Sequence, residues 1–157
     1  MKNFSLQLWT IALLGLFSGG AIVILLILVP SWQTMQPDAF MDWVGNFGSR
    51  LGFTMVPMEM IPFLLSIICF FVARKNNQAG KNLWLAIIIS NVIILAMLFV
   101  YFIPVNLSFI HKTFPSENVA DELMKWKMIH AARTALTVMN FVLGIFAVKK
   151  SLKNQAV

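Results

Sequence analysis

Apolar residues run along this chain in four long blocks, separated by three polar stretches. The blocks cover roughly 6–32, 52–74, 82–110 and 126–150. A helix needs about 20 apolar residues to cross a bilayer, and each block is long enough. The pattern therefore predicts an all-α protein, an integral membrane four-helix bundle. The first block is too long for a signal peptide, because it continues through Ile22–Val29 past the small residues Ser18-Gly19-Gly20-Ala21. Pro30 is expected to end the first helix. Residues 33–51 read as a loop, with one short interfacial helix where Phe40, Trp43 and Val44 fall on one side of Ala39–Val44. In the second block Pro57 and Pro62 flank Glu59, which predicts a bent helix with freed carbonyls. Asn76 to Lys81 forms a polar turn. His111 to Lys125 is a second polar loop, with a helix start at Ser116–Leu123 marked by a serine followed by acidic residues. The basic tail Lys149–Lys153 is expected to fray.

Composition agrees with this pattern. The chain is 59% hydrophobic and 11% charged, whereas soluble domains are about half apolar and a quarter charged. Four spans with short loops use nearly all of the 157 residues. A single transmembrane domain over 1–157 is expected, with no soluble catalytic domain. The net charge of +6 is explained by topology. Lys2, Arg74, Lys75, Lys81, Lys149, Lys150 and Lys153 fall on one side, against Arg50, Lys112, Lys125 and Lys127 on the other. Basic residues gather on cytoplasmic segments, so both termini are expected in the cytoplasm. The expected location is the bacterial plasma (inner) membrane. No basic tract is interleaved with aromatics, so no nucleic-acid partner is expected. Cys69 is the only cysteine, which excludes an intrachain disulfide and paired-thiol chemistry.

The candidate chemistry is intramembrane. His130 and Arg133 lie several residues inside the fourth block, and Glu59 is the only acidic residue within any block. At about 1.5 Å of rise per residue, Glu59 and Arg133 lie roughly 22 and 24 Å from the cytoplasmic ends of their helices. Ser18, Tyr101 and His130 fall near the same level, in the outer half of the membrane. His130, Arg133, Thr134 and Thr137 share one helix face. Ionisable groups at such depth face a protein interior and find partners, so Glu59 is expected to pair with Arg133. The pair either pins two helices together and no more, or borders a ligand cavity lined by Ser18, Glu59, Tyr101, His130 and Arg133. In the second case the small residues Gly15–Gly20 withhold volume at that height. Glu59, His111 and His130 are the candidate metal ligands near the outer face, but they form no compact motif. No metal and no cofactor are expected.

These residues carry a resemblance. Gly15-Leu16-Phe17-Ser18-Gly19-Gly20 is followed by Pro30, by Arg50 before a proline-bearing second span, by Ile103-Pro104-Val105-Asn106, and by Trp126-x-x-x-His130-x-x-Arg133. This order resembles the anthrone-oxygenase-like family of small membrane proteins, a domain of unknown function in most bacteria. The resemblance covers nearly the whole chain, although the family typically carries Asn at the position of His130. It implies a four-helix membrane domain. In some fungal polyketide pathways members oxidise an anthrone to an anthraquinone with dioxygen, and their motifs show no metal or flavin. Glu59 and His130 would then be candidate bases and Arg133 the oxyanion partner. Ser18, Tyr101, Asn106 and Trp126 would contact the substrate. The partners expected are the lipid bilayer and a small apolar aromatic or quinone-like ligand, and the oligomeric state stays open. The alternative is a non-enzymatic accessory, transport-associated or structural four-helix protein.

Overall fold

In the computed structural model, which describes residues 2–153, each apolar block is a helix, and two of the helices reach well beyond their blocks. Helix α1 comprises Lys2–Val23, a π-helical stretch Ile24–Leu28 and a last turn Val29–Gln33. Helix α2 is Pro37–Lys75. Helix α3 comprises Lys81–Met97, a second π-helical stretch Leu98–Phe102, and Ile103–Ile110. Helix α4 is Val119–Lys153, entered through a 3-10 turn at Ser116–Asn118. There is no strand among the described residues.

The long loop expected over 33–51 does not exist. The connection is only residues 34–36, and α2 is 39 residues long. That is roughly 58 Å at the helical rise, against about 30 Å of bilayer hydrocarbon. The supposed interfacial helix is the first part of α2. Asp38, Asp42, Asn46, Ser49 and Arg50 form its exposed polar face, while Phe40, Met41 and Val44 are buried opposite. Read without periodicity, that polar face looks like a loop. Extended Gln36 leads into Pro37 in the first turn, where a missing N–H costs nothing.

The prolines do not break helices either. Pro30 fails to end α1, and α2 runs uninterrupted through Pro57 and Pro62. Pro30 and Pro104 each follow a π-helical stretch by two residues. The residue just before each proline donates its N–H five residues back: Val29 to the Ile24 carbonyl, and Ile103 to the Leu98 carbonyl. The wider turn makes room for the carbonyl that a proline ring would otherwise crowd.

Helices α2 and α3 end in the same closure. Asn77 and Lys112 are left-handed, with φ of 48° and 53°. Gln78 N–H reaches the Ala73 carbonyl at 2.8 Å, and Thr113 N–H reaches the Ser108 carbonyl at 2.9 Å. Both are Schellman turns made without glycine. Gly80 is required for another reason: a Cβ there would lie 2.2 Å from the Ala147 carbonyl oxygen of α4. The expected fraying of the tail is not seen, since α4 continues to Lys153 and the Ser151 hydroxyl donates to the Ala147 carbonyl at 2.9 Å.

Helices α1 and α3 each pack against α2 and α4, so α2 faces α4 across the bundle. One end gathers the start of α1 and the 76–80 turn, where Gln7 Nε2 donates to Gln78 Oε1 at 2.9 Å. The other end gathers the remaining connections. There Lys112 pairs with Asp42, the Ser116 hydroxyl donates to Asp38 at 3.1 Å, and Lys127 donates to Gln33 at 3.3 Å. The Asp42 carboxylate raises the Lys112 pKa above its ordinary value, chiefly through that hydrogen bond.

All four helices are long and apolar enough to cross a membrane. Their outer faces carry large apolar side chains such as Phe53 (82% exposed) and Val100 (79%). Faces this greasy in an all-α bundle are what lipid covers, and the protein is an integral membrane four-helix bundle. Inside, two apolar clusters are stacked along its axis. One, near the 76–80 end, contains Leu14, Cys69, Trp84 and Ile87. The other, near the opposite end, contains Trp32, Phe40, Phe102, Phe109 and Trp126. Polar side chains, Glu59 and Arg133 among them, lie between the two.

Candidate functional site

Arg133 donates through Nη2 to Glu59 Oε2. The contact joins α4 to α2, the two helices that face each other, so the ion pair spans the centre of the bundle. The guanidinium carbon also lies 5.6 Å from the centroid of the Phe17 ring of α1 and 5.1 Å from that of Phe102 of α3. All four helices therefore meet at one charge. Two aromatic faces and one carboxylate are the partners a desolvated guanidinium needs.

His130 stands one turn from Arg133, towards the 111–115 end. Its Nε2 is 3.1 Å from the Ala21 carbonyl oxygen of α1. A carbonyl only accepts, so Nε2 carries the proton. In a neutral imidazole Nδ1 then holds a free lone pair. The ring is stacked on Trp126, with centroids 4.7 Å apart and planes 26° apart. Trp126 is held in turn by its Nε1 donating to Asn106 Oδ1 at 3.0 Å. The imidazole is thus fixed from α1, α3 and its own helix.

A cavity of about 110 Å³ opens beside this pair. Glu59, His130 and Arg133 border its deep end. Trp126, Asn106 and Trp32 line its walls, and Gly48, Gly52 and Val56 of α2 border one flank. Four buried polar atoms on its lining residues have no hydrogen-bond partner among the described residues: Trp32 Nε1, Glu59 Oε1, His130 Nδ1 and Arg133 Nε. Buried polar groups are nearly always satisfied. Two donors and two acceptors left over on the residues around one space are what a polar ligand or ordered waters would engage once the side chains covering them shift.

Five of the seven residues singled out from the sequence border this cavity: Glu59, Asn106, Trp126, His130 and Arg133. Two do not. The Ser18 hydroxyl donates back to the Leu14 carbonyl at 2.8 Å. The Tyr101 hydroxyl donates to Glu122 at 2.7 Å, and Lys125 sits 5.1 Å over its ring. Both were placed at the site by depth along a helix alone, and depth says nothing about rotation. On α3 it is Leu98, Phe102, Asn106 and Phe109 that face the cavity, and Tyr101 is one residue out of phase. The Gly15–Gly20 stretch is not a ligand gap. Gly15 takes the Phe141 ring, Gly20 takes Met55, and Gly19 faces open space outside the bundle.

The roles of Phe17 and Phe102 were not visible in the sequence, because a cation–π partner has no distinctive spacing. Ala21 was invisible for a similar reason, since it acts through its backbone. The buried Asn140–Asn91 hydrogen bond at 3.3 Å between α4 and α3 also went unread. His111 is exposed at the C-terminus of α3. No group of three His, Cys, Asp or Glu side chains able to hold a metal occurs among the described residues.

The chain matches no protein-family model, no curated protein and no solved structure.

Proposed function

We propose that the protein is a membrane enzyme that binds a small hydroxyaromatic or quinone-like molecule and oxidises it with dioxygen, without a cofactor. The observation that carries this is the unpartnered Nδ1 of His130, on a ring held at a fixed angle beside a buried guanidinium, among the residues that line a cavity. A base within reach of a phenol and a cation facing the developing oxyanion are the two parts such chemistry needs. His130 Nδ1 takes the first phenolic proton, and Arg133 stabilises the phenolate. Two electrons pass from the ring to dioxygen. The second phenolic proton and the one held by His130 complete hydrogen peroxide, so that quinol plus O₂ gives quinone plus H₂O₂. Glu59 holds Arg133 in place and keeps the empty site near neutrality.

The resemblance to the anthrone-oxygenase-like family supports the use of dioxygen. The cavity favours a smaller substrate than an anthrone. Its 110 Å³ is below the ~150 Å³ that encloses one benzene molecule, so a single ring fits only by reaching into the cavity's open side, and three fused rings do not fit. Oxygen uptake by the purified protein in nanodiscs, supplied with a decyl-tailed benzoquinol, tests the proposal. Uptake and peroxide above the protein-free rate are expected. A rate equal to that of empty nanodiscs would return the chain to the non-enzymatic alternative, an accessory, transport-associated or structural bundle.

We place both termini in the cytoplasm of a bacterial cell, which puts the site in the outer half of the plasma membrane. The distribution of lysine and arginine supports this orientation. In intact cells a membrane-impermeant maleimide is expected to label Glu117→Cys and to spare Asn77→Cys, with Cys69 buried and silent. Labelling only at Asn77→Cys would invert the topology.

A further inference from the structure

We infer that the ligand is an amphiphile that enters from the bilayer, through a gap in the side of α2 at Gly52, and keeps its apolar tail in that gap while its ring sits in the cavity. The inference rests on the binding site proposed above and adds the route and the tail.

Three observations place the opening at Gly52. A Cβ at Gly52 would meet nothing within 4 Å, although the residue borders the cavity. One turn earlier the wall is closed, since a Cβ at Gly48 would lie 2.9 Å from Val44 and 3.4 Å from Ile110. One turn later Val56 borders the cavity and is also 38% exposed, so the wall there is one residue thick. Neighbouring Phe53, at 82% exposed, marks that level as lipid-facing.

The two ends of the bundle are shut. Towards the 111–115 end, Trp32, Phe40 and Phe109 close the space. Their ring centroids are 6.0 Å apart for Trp32–Phe40 and 5.1 Å apart for Phe40–Phe109, and none of the three is more than 5% exposed. Towards the 76–80 end, the ion pair and the second apolar cluster fill the bundle. Neither end of the bundle admits a water-soluble ligand, whereas a membrane-dissolved one has a door at its own depth.

The ligand chemistry follows from the shape. The cavity takes one ring that reaches into its open side, and the unpartnered Glu59 Oε1 and His130 Nδ1 accept from hydroxyl groups on it. Whatever else the molecule carries lies in an opening bordered by Gly52, Met55 and Val56, which is apolar. A ring bearing hydroxyl or carbonyl groups and an alkyl or prenyl tail fits both parts.

The test is saturable anaerobic binding of a radiolabelled decyl-tailed benzoquinol to wild type, Gly52→Leu, Gly52→Ala and Gly19→Leu in nanodiscs, with the melting temperature of each. Gly52→Leu is expected to weaken binding at least tenfold with an unchanged melting temperature, because its side chain projects into open space. Gly52→Ala is expected to weaken it less than threefold. Gly19→Leu, equally unobstructed but away from the cavity, is expected to bind like wild type. Wild-type affinity in a folded Gly52→Leu overturns the side entrance and leaves the site standing. Equal losses in Gly52→Leu and Gly19→Leu also overturn it, since a bulky residue on the lipid face would then suffice. If wild type binds neither this probe nor its tail-free ring, the site fails and the entrance with it.

Discussion

Replacing Glu59 by Gln, or Arg133 by Gln, is expected to destabilise the protein by about 3–5 kcal/mol, because each change strands the other charge in the bundle centre. Glu59 is 1% exposed and Arg133 8%, so neither finds water when its partner is lost. The two aromatic rings beside Arg133 do not compensate, since a cation–π contact contributes on the order of 1–2 kcal/mol. The paired change Glu59→Gln with Arg133→Gln is expected to be milder than either single change, for no charge then remains uncompensated. The cycle is read by reversible unfolding in mixed micelles. Additive losses across it would show that the two side chains are not coupled. A strong coupling alone does not make the pair catalytic, because a purely structural strut would give it too.

That distinction separates what could be read in the chain from what could not. Four helices were legible because each block exceeds the length a bilayer demands. The partnership of Glu59 with Arg133 was legible by elimination, there being one acid at that depth. The start of α2 was not legible. Its polar residues are spaced for one helix face, and a polar face beside a short apolar one looks like a loop until its partners are in place. That Pro30 would not end α1 was not legible for a related reason. In a long helix buried on one side, packing and a local π-helical turn absorb what would break a short peptide. Tyr101 and Ser18 do not border the cavity, because depth along a helix leaves its rotation open. Gly52 drew no notice as one glycine among several, and its meaning appears only when the space beside it is seen.

The second large effect is expected at His130. His130→Asn, which installs the residue the resembled family typically carries, removes the base and keeps a polar side chain near the Ala21 carbonyl. Oxygen uptake with the decyl-tailed benzoquinol is expected to fall by about 10²–10⁴-fold, the usual contribution of a positioned general base. Binding of the matching quinone is expected to stay within a few-fold of wild type, because the ring contacts of Trp126, Asn106 and Phe102 remain. Loss of binding and turnover in equal measure would make His130 a ligand contact and not the base.

Both the base and the binding site depend on which nitrogen of His130 is bare. The chain contains only two histidines, so ring-¹⁵N-histidine NMR gives two imidazole patterns, and His130→Asn assigns them. Spectra are to be taken at neutral pH, with and without the decyl-tailed benzoquinol. Without ligand, His130 Nε2 is expected to carry a directly bonded proton and Nδ1 to be unprotonated. With the quinol, kept anaerobic, the Nδ1 resonance is expected to move towards the protonated range while Nε2 keeps its proton. A proton resident on Nδ1 in the ligand-free protein, or an Nδ1 resonance that ignores the quinol, would contradict the assignment of His130 as the base.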